Sequence, residues 1–170
     1  MFALTRLLHF SGDDGPVADL HPMIEPLAFL LGTWSGQGVG EYPTIETFPY
    51  LETVTFDHVG KPYLSYVQRT THPDGTPTHG ELGFWRLPAP NSVELVAIHP
   101  FGATEMAVGS LSGSTIDLQS MSVVSTPAAK VVTGIERTLT VDGDVLRYTV
   151  RMAAVGQPMT HHLSAELRRA

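Results

Sequence analysis

The feature that most constrains this chain is a run of short, turn-bounded, period-two segments with no crossover-length helix between them. In the first clear segment Phe48, Tyr50, Glu52, Val54 and Phe56 alternate with Pro49, Leu51, Thr53, Thr55 and Asp57. Further strands are predicted at about 62–71, 79–87, 92–99, 103–111, 115–124, 130–141, 145–153 and 160–168. Turn signals separate them: Asp74-Gly75, Pro88 to Asn91, Pro100 to Gly102, Ser112-Gly113, Asp142-Gly143 and Gly156 to Pro158. The sharpest hairpin signal is Asp142-Gly143. With the glycine-rich segment at Gly32–Gly40 this makes about ten strands. Parallel strands need long crossovers, and none is present. The expected fold is therefore all-β: a ten-stranded antiparallel up-and-down β-barrel, wide enough inside for a ligand.

Upstream, His21 to Leu31 has room for one or two helical turns, and Pro22 and Pro26 exclude one long regular helix. Gly32 is a natural stop. Residues 1–20 are expected to be a flexible N-terminal extension, and 21–170 a single barrel domain. Arg6 and His9 interrupt the apolar start, and no cleavage-site pattern follows it.

With 170 residues, 42% of them hydrophobic and 16% charged, the chain is long and apolar enough for one real core. Its net charge of −7 disfavours nucleic acid and anionic membrane surfaces as partners. The lack of cysteine removes disulfides, thiolate metal sites and a cysteine nucleophile, and fits a cytoplasmic location.

The run Gly32-x-Trp34-x-Gly36-x-Gly38-x-Gly40 resembles a phosphate loop only superficially. A dinucleotide fingerprint needs G-x-G-x-x-G opening a helix; here Glu41 holds the third glycine position and Pro43 follows. There is no Gly-Lys-Ser/Thr. On a strand, Gly36, Gly38 and Gly40 share one bare face with Trp34, which permits either sharp bending or close ligand approach. A hydrolase elbow also fails, because Leu111 stands where Gly109-x-x-x-Gly113 would need its serine. The adjacent His161 and His162 send their side chains to opposite faces of a strand, which argues against a metal site built on both.

The Gly32–Gly38 run followed by Tyr42-Pro43-Thr44-Ile45 resembles the signature of the nitrobindin family, small haem-binding β-barrels. Tyr50-Leu51-Glu52, His58-Val59-Gly60-Lys61-Pro62, His79-Gly80-Glu81-Leu82-Gly83, His99-Pro100 and Ala154-Val155-Gly156-Gln157-Pro158 match in order. The resemblance spans about Leu27 to Arg168 and is greatest to actinobacterial members. It implies one haem b per chain, nitric oxide binding, and isomerisation of peroxynitrite to nitrate at a five-coordinate ferric haem. A monomer or a homodimer is compatible with it. The competing reading is a carrier or sensor of a hydrophobic small ligand, with no chemistry.

The resemblance implies that the axial ligand is the histidine of a His-Leu pair in the last strand, His162. Strict alternation instead groups His161 with Leu163, Ala165 and Leu167 on the apolar face, so His161 is the second choice unless a bulge reverses the order. Other implied contacts each have a plainer reading beside them. Thr44 lies over the distal side or simply bonds its own turn. His79 and His99 line the cavity or end solvated strands. Met152 and Met159 pack on the macrocycle or fill core. Lys130 meets a propionate or only solvent.

Overall fold

The computed structural model describes residues 18–170, so the expected flexibility of the N-terminal extension lies, for residues 1–17, outside the described residues. Ten strands follow a short helix: β1 (Gly32–Tyr42), β2 (Ile45–Asp57), β3 (Leu64–Thr71), β4 (Pro77–Ala89), β5 (Ser92–His99), β6 (Ala103–Ser112), β7 (Thr115–Ser125), β8 (Val132–Asp142), β9 (Val145–Ala154) and β10 (Thr160–Arg169). Each pairs antiparallel with the next, and β1 pairs with β10 to close the barrel. The expected all-β barrel is therefore the observed one, with strand ends moved by a few residues. The largest shift is in β2, which starts three residues early at Ile45; β4 runs two residues past its expected end to Ala89, so the turn after it tightens to Pro90-Asn91.

The helix is 3₁₀, from Pro22 to Leu30, because the two prolines remove donors and the apolar residues recur at threes. At that spacing Ile24, Leu27 and Leu30 stack in one column, and all three are fully buried. They plug one end of the barrel; burying such side chains contributes roughly 1.5–3 kcal/mol each. Leu20 also packs against the core, so the packed region begins within the first twenty residues. Trp34 ties the plug down by donating its indole N–H to the Leu30 carbonyl at 2.7 Å. Arg169 lies over the Trp34 ring at 4.0 Å and donates to the Leu31 and Phe29 carbonyls, capping the helix from the last strand.

Side chains fill the interior in layers. At the plugged end lie Trp34, Phe56, Trp85, Leu95, Ile116, Leu146 and Leu167, all buried. Across the middle runs a buried polar belt of Tyr50, Glu52, Gln68, Glu81, Glu105, Arg137 and Tyr148. The far end opens into a cavity that the belt residues also line and that reaches Phe56, Trp85 and Leu146.

The bare face of β1 points inward, and the neighbouring strand fills it. Gly38 pairs with Tyr50 and Gly40 with Phe48, and each aromatic ring lies where the glycine's Cβ would stand. Gly36 instead admits the β10 backbone at Glu166 and Leu167. These glycines are thus occupied by protein, which decides between the two uses left open by the sequence. Gly38→Ala is expected to displace Tyr50 and cost about 1–3 kcal/mol, lowering the melting temperature by several degrees. Gly80→Ala, whose Cβ would meet only the Gln68 carbonyl at 3.4 Å, is the control and should stay within about 0.5 kcal/mol of wild type. Thermal denaturation of the two variants makes the comparison.

Candidate functional site

The open end of the barrel holds a cavity of about 400 Å³, within the range of roughly 300–1,000 Å³ usual for small-molecule sites. Its walls are mainly apolar, including Ile45, Phe48, Phe101, Val132, Met152 and Leu163. Of the residues singled out from sequence, Thr44, His79, His99, Lys130, Met152 and His162 line it. Thr44 and Lys130 are exposed at its rim, whereas His99 is buried. Met159 and His161 are not among the lining residues. The Met159 methyl packs instead over Gly134, about 3.1 Å from where a Cβ would be, which fits the reading of Met159 as filler.

His162 reaches the cavity through a break in strand alternation. In the β9–β10 ladder His161 pairs with Arg151 and Leu163 with Val150, so His162 is an extra, bulged residue. Below the bulge Ala165 and Leu167 point inward, as the alternation requires. Above it the phase reverses, and His162, not His161, joins the lining. The chain is delivered to this point by a corner at Val155 and Gly156, both in the left-handed region at φ 48° and 81°. That conformation is costly for a β-branched residue and marks a constrained corner on the cavity rim.

A second irregularity meets the first. β1 shifts register against β2 between Gly40 and Tyr42, leaving Glu41 out of the ladder. Its carbonyl oxygen lies 3.0 Å from His162 Nδ1. A carbonyl only accepts, so Nδ1 carries the proton and Nε2 keeps the free lone pair. Burial shifts the His162 pKa below the ordinary histidine value, outweighing the Glu41 hydrogen bond, and this favours the neutral ring. The edge of Tyr42 packs on the same ring, with centroids 5.4 Å apart. Tyr42 is itself fixed: its hydroxyl accepts the Ala154 N–H at 2.9 Å and faces the Met152 and Ala154 carbonyls. The Tyr-Pro-Thr segment therefore does more than lead to the pocket, because Glu41 and Tyr42 orient His162. Sequence reading missed this, and nothing in the linear pattern marks a backbone carbonyl as a partner 121 residues away.

This donor set fits a haem iron: one neutral imidazole, held by its second nitrogen, at the wall of an apolar cavity. His162 would supply the axial nitrogen, and Lys130 at the rim a counter-charge for a propionate.

Part of the cavity wall is charged and hydrogen-bonded. The Glu52 carboxylate accepts from Gln68 at 2.8 Å and from the Tyr148 hydroxyl, which lies 2.8 Å from that of Tyr50. Burial dominates and raises the Glu52 pKa to about 7, against the lowering effect of those two donors. Beside it, Arg137 pairs with Glu81 at 3.1 Å and with Glu105 at 2.5 Å. Burial alone would raise the Glu105 pKa, but Arg137 and His99 outweigh it and hold it at about 2. The two carboxylates therefore give opposite pH slopes. The Glu105 contribution is complete above the ordinary carboxylate value and is lost as pH falls toward about 2. The Glu52 contribution is complete below the ordinary value and is lost as pH rises through about 7. His79 and His162, whose pKa values burial lowers, act with the opposite sign, so the test is a difference: in urea unfolding across pH 4 to 8 the stability of wild type relative to Glu52→Gln should decline as pH rises through about 7.

Residues 23–169 match the family described as the THAP4-like, heme-binding beta-barrel domain. The chain is 55% identical over 157 residues to a protein of Mycobacterium ulcerans named peroxynitrite isomerase 2, covering 89% of this chain and 98% of that one. It is 49% identical over 159 residues to a peroxynitrite isomerase of Nocardia farcinica, covering 91% and 95%. The crystal structure of Rv2717c from M. tuberculosis superposes with a TM-score of 0.84 at 47% identity, over 89% of this chain and 99% of that one. These matches span the barrel from the 3₁₀ plug to β10, and the chain belongs to the THAP4-like, haem-binding β-barrel family, the nitrobindin family of the sequence resemblance.

Proposed function

We propose that this protein binds one haem b through His162 and isomerises peroxynitrite to nitrate, with nitric oxide as a second ligand of the same site. The carrying observation is the bulged His162, whose Nδ1 is committed to the Glu41 carbonyl while Nε2 stays free beside an apolar cavity. The names of relatives at about 50% identity over most of the chain support the same activity. When bound, a ferric haem with one protein ligand supplies a Lewis-acid iron with an open position.

The chain's own residues position and shield. Glu41 and Tyr42 keep the imidazole in one tautomer and one orientation, so a ligand bond formed there costs little reordering. Phe48, Phe101, Met152 and Leu163 offer apolar surface for a macrocycle and keep water from the inner face. Lys130 and Thr44 at the rim offer a charge and a hydroxyl to groups at the solvent edge. Isomerisation moves no net proton, and the reading assigns no side chain as a general base. The protein would work in the cytoplasm as a monomer or homodimer, which accords with its lack of cysteine. Among the described residues no helix is long and apolar enough to cross a membrane.

Titration with haemin is the direct test. A Soret band saturating at one equivalent is expected for wild type and His161→Ala, and its loss or marked shift for His162→Ala. The loaded wild type should accelerate peroxynitrite decay with nitrate as product. No band at any haemin ratio would return the cavity to the hydrophobic-carrier reading, and an unchanged decay rate would remove the isomerase.

A further inference from the structure

The cavity wall carries a second group of ligating side chains that haem binding through His162 leaves unused. His79 and Glu81 stand two apart on β4 and so face the same side. Leu82 pairs with Ile98, so the next step of that ladder brings Glu81 beside His99 of β5. One ligating atom from each of His79, Glu81 and His99 lies within 4.8 Å of the others, and all three residues line the cavity.

The hydrogen-bond accounting around His99 leaves a place for a cation. Its Nε2 lies 3.3 Å from Glu105 Oε2, which already accepts from Arg137 at 2.5 Å. An ionised carboxylate only accepts, so the proton on that side belongs to Nε2. His99 Nδ1 then turns a lone pair toward Glu81 Oε2, 3.4 Å away. That oxygen is an acceptor too, and takes an Arg137 N–H at 3.2 Å. Two buried acceptors facing each other need a cation shared between them: a second ring proton or a metal ion. The spacing suits the metal, since ligand bonds of about 2.1 Å in a tetrahedral site hold their donor atoms about 3.4 Å apart. The Glu105–His99 contact then acts as the carboxylate that orients a metal-bound histidine.

We propose that His79, Glu81 and His99 form a site for one divalent transition cation of the zinc class, separate from the haem ligand His162. Two histidines and one carboxylate leave further coordination positions open, and these face the cavity. The charges favour an anion there: the ion and Arg137 carry three positive charges against two on Glu81 and Glu105. The site shares the cavity but not the haem ligand, because it uses neither His162 nor its partners Glu41 and Tyr42.

The test uses the full-length protein, stripped with a chelator and free of haemin. It is titrated with Zn²⁺ by calorimetry and with Co²⁺ by visible absorption. One equivalent per chain is expected, with intense d–d bands for a four- or five-coordinate cobalt ion. Affinity should fall at least about tenfold in His79→Ala and in His99→Gln and be unchanged in His162→Ala. His79→Ala is the cleaner variant because its ring is only partly buried, and its circular dichroism and melting curve establish that it folds. The proposal is overturned if neither ion binds, if His79→Ala binds like wild type, or if His162→Ala abolishes binding.

Discussion

The site depends on a coincidence of two faults in an otherwise regular barrel. Alternation sends every second side chain inward along each strand, and a closed sheet gives no strand freedom to slip. Under that constraint a residue changes sides only where the ladder takes in an extra residue. β10 does so at His162; where β1 meets β2 the extra residue is on β2, opposite Glu41, which is left without a ladder partner. The first fault turns an imidazole into the cavity, and the second frees a carbonyl to hold it. Because β1 and β10 are also the strands that close the barrel, the histidine sits on the seam joining the two ends of the folded chain.

The rest of the interior can be understood as support for that opening. One end is sealed by a 3₁₀ column, Trp34 and Arg169. The cavity runs down from the other end past the polar belt to Phe56, Trp85 and Leu146 of the apolar layer. The belt's carboxylates are expensive to bury and are kept by strong donors: Arg137 for Glu81 and Glu105, and Tyr148 with Gln68 for Glu52. Gln68 and Glu52 sit on the neighbouring β3 and β2, but Tyr148 of β9 reaches Glu52 of β2, and Arg137 of β8 reaches Glu81 of β4 and Glu105 of β6, so the belt also links strands that are not neighbours.

Much of this was legible in the chain. Strand number, turn positions, the proline-limited helix and the antiparallel class all follow from period-two patterning and turn chemistry, which are local properties. Of the expected contacts, Thr44, His79, His99, Lys130 and Met152 do line the cavity. Met159 does not, because directly after Gln157-Pro158 its side chain lies over Gly134. The glycine run was legible as a barrel strand, but its use was not: that Tyr50 and Phe48 lie over Gly38 and Gly40 follows from β1–β2 register.

What the sequence by itself determined is therefore the kind of object: a ten-strand antiparallel barrel wide enough for a ligand, led in by a short proline-limited helix. Only the tertiary structure decided which histidine faces inward and what it meets. The alternation rule chooses His161, and a bulge invisible in composition makes the choice His162. It also decided that Glu41 and His162, and likewise Arg137 and its two acids, are partners. Such pairings depend on register and closure between strands far apart in sequence. Those are set by the whole barrel at once, and no local window of residues encodes them.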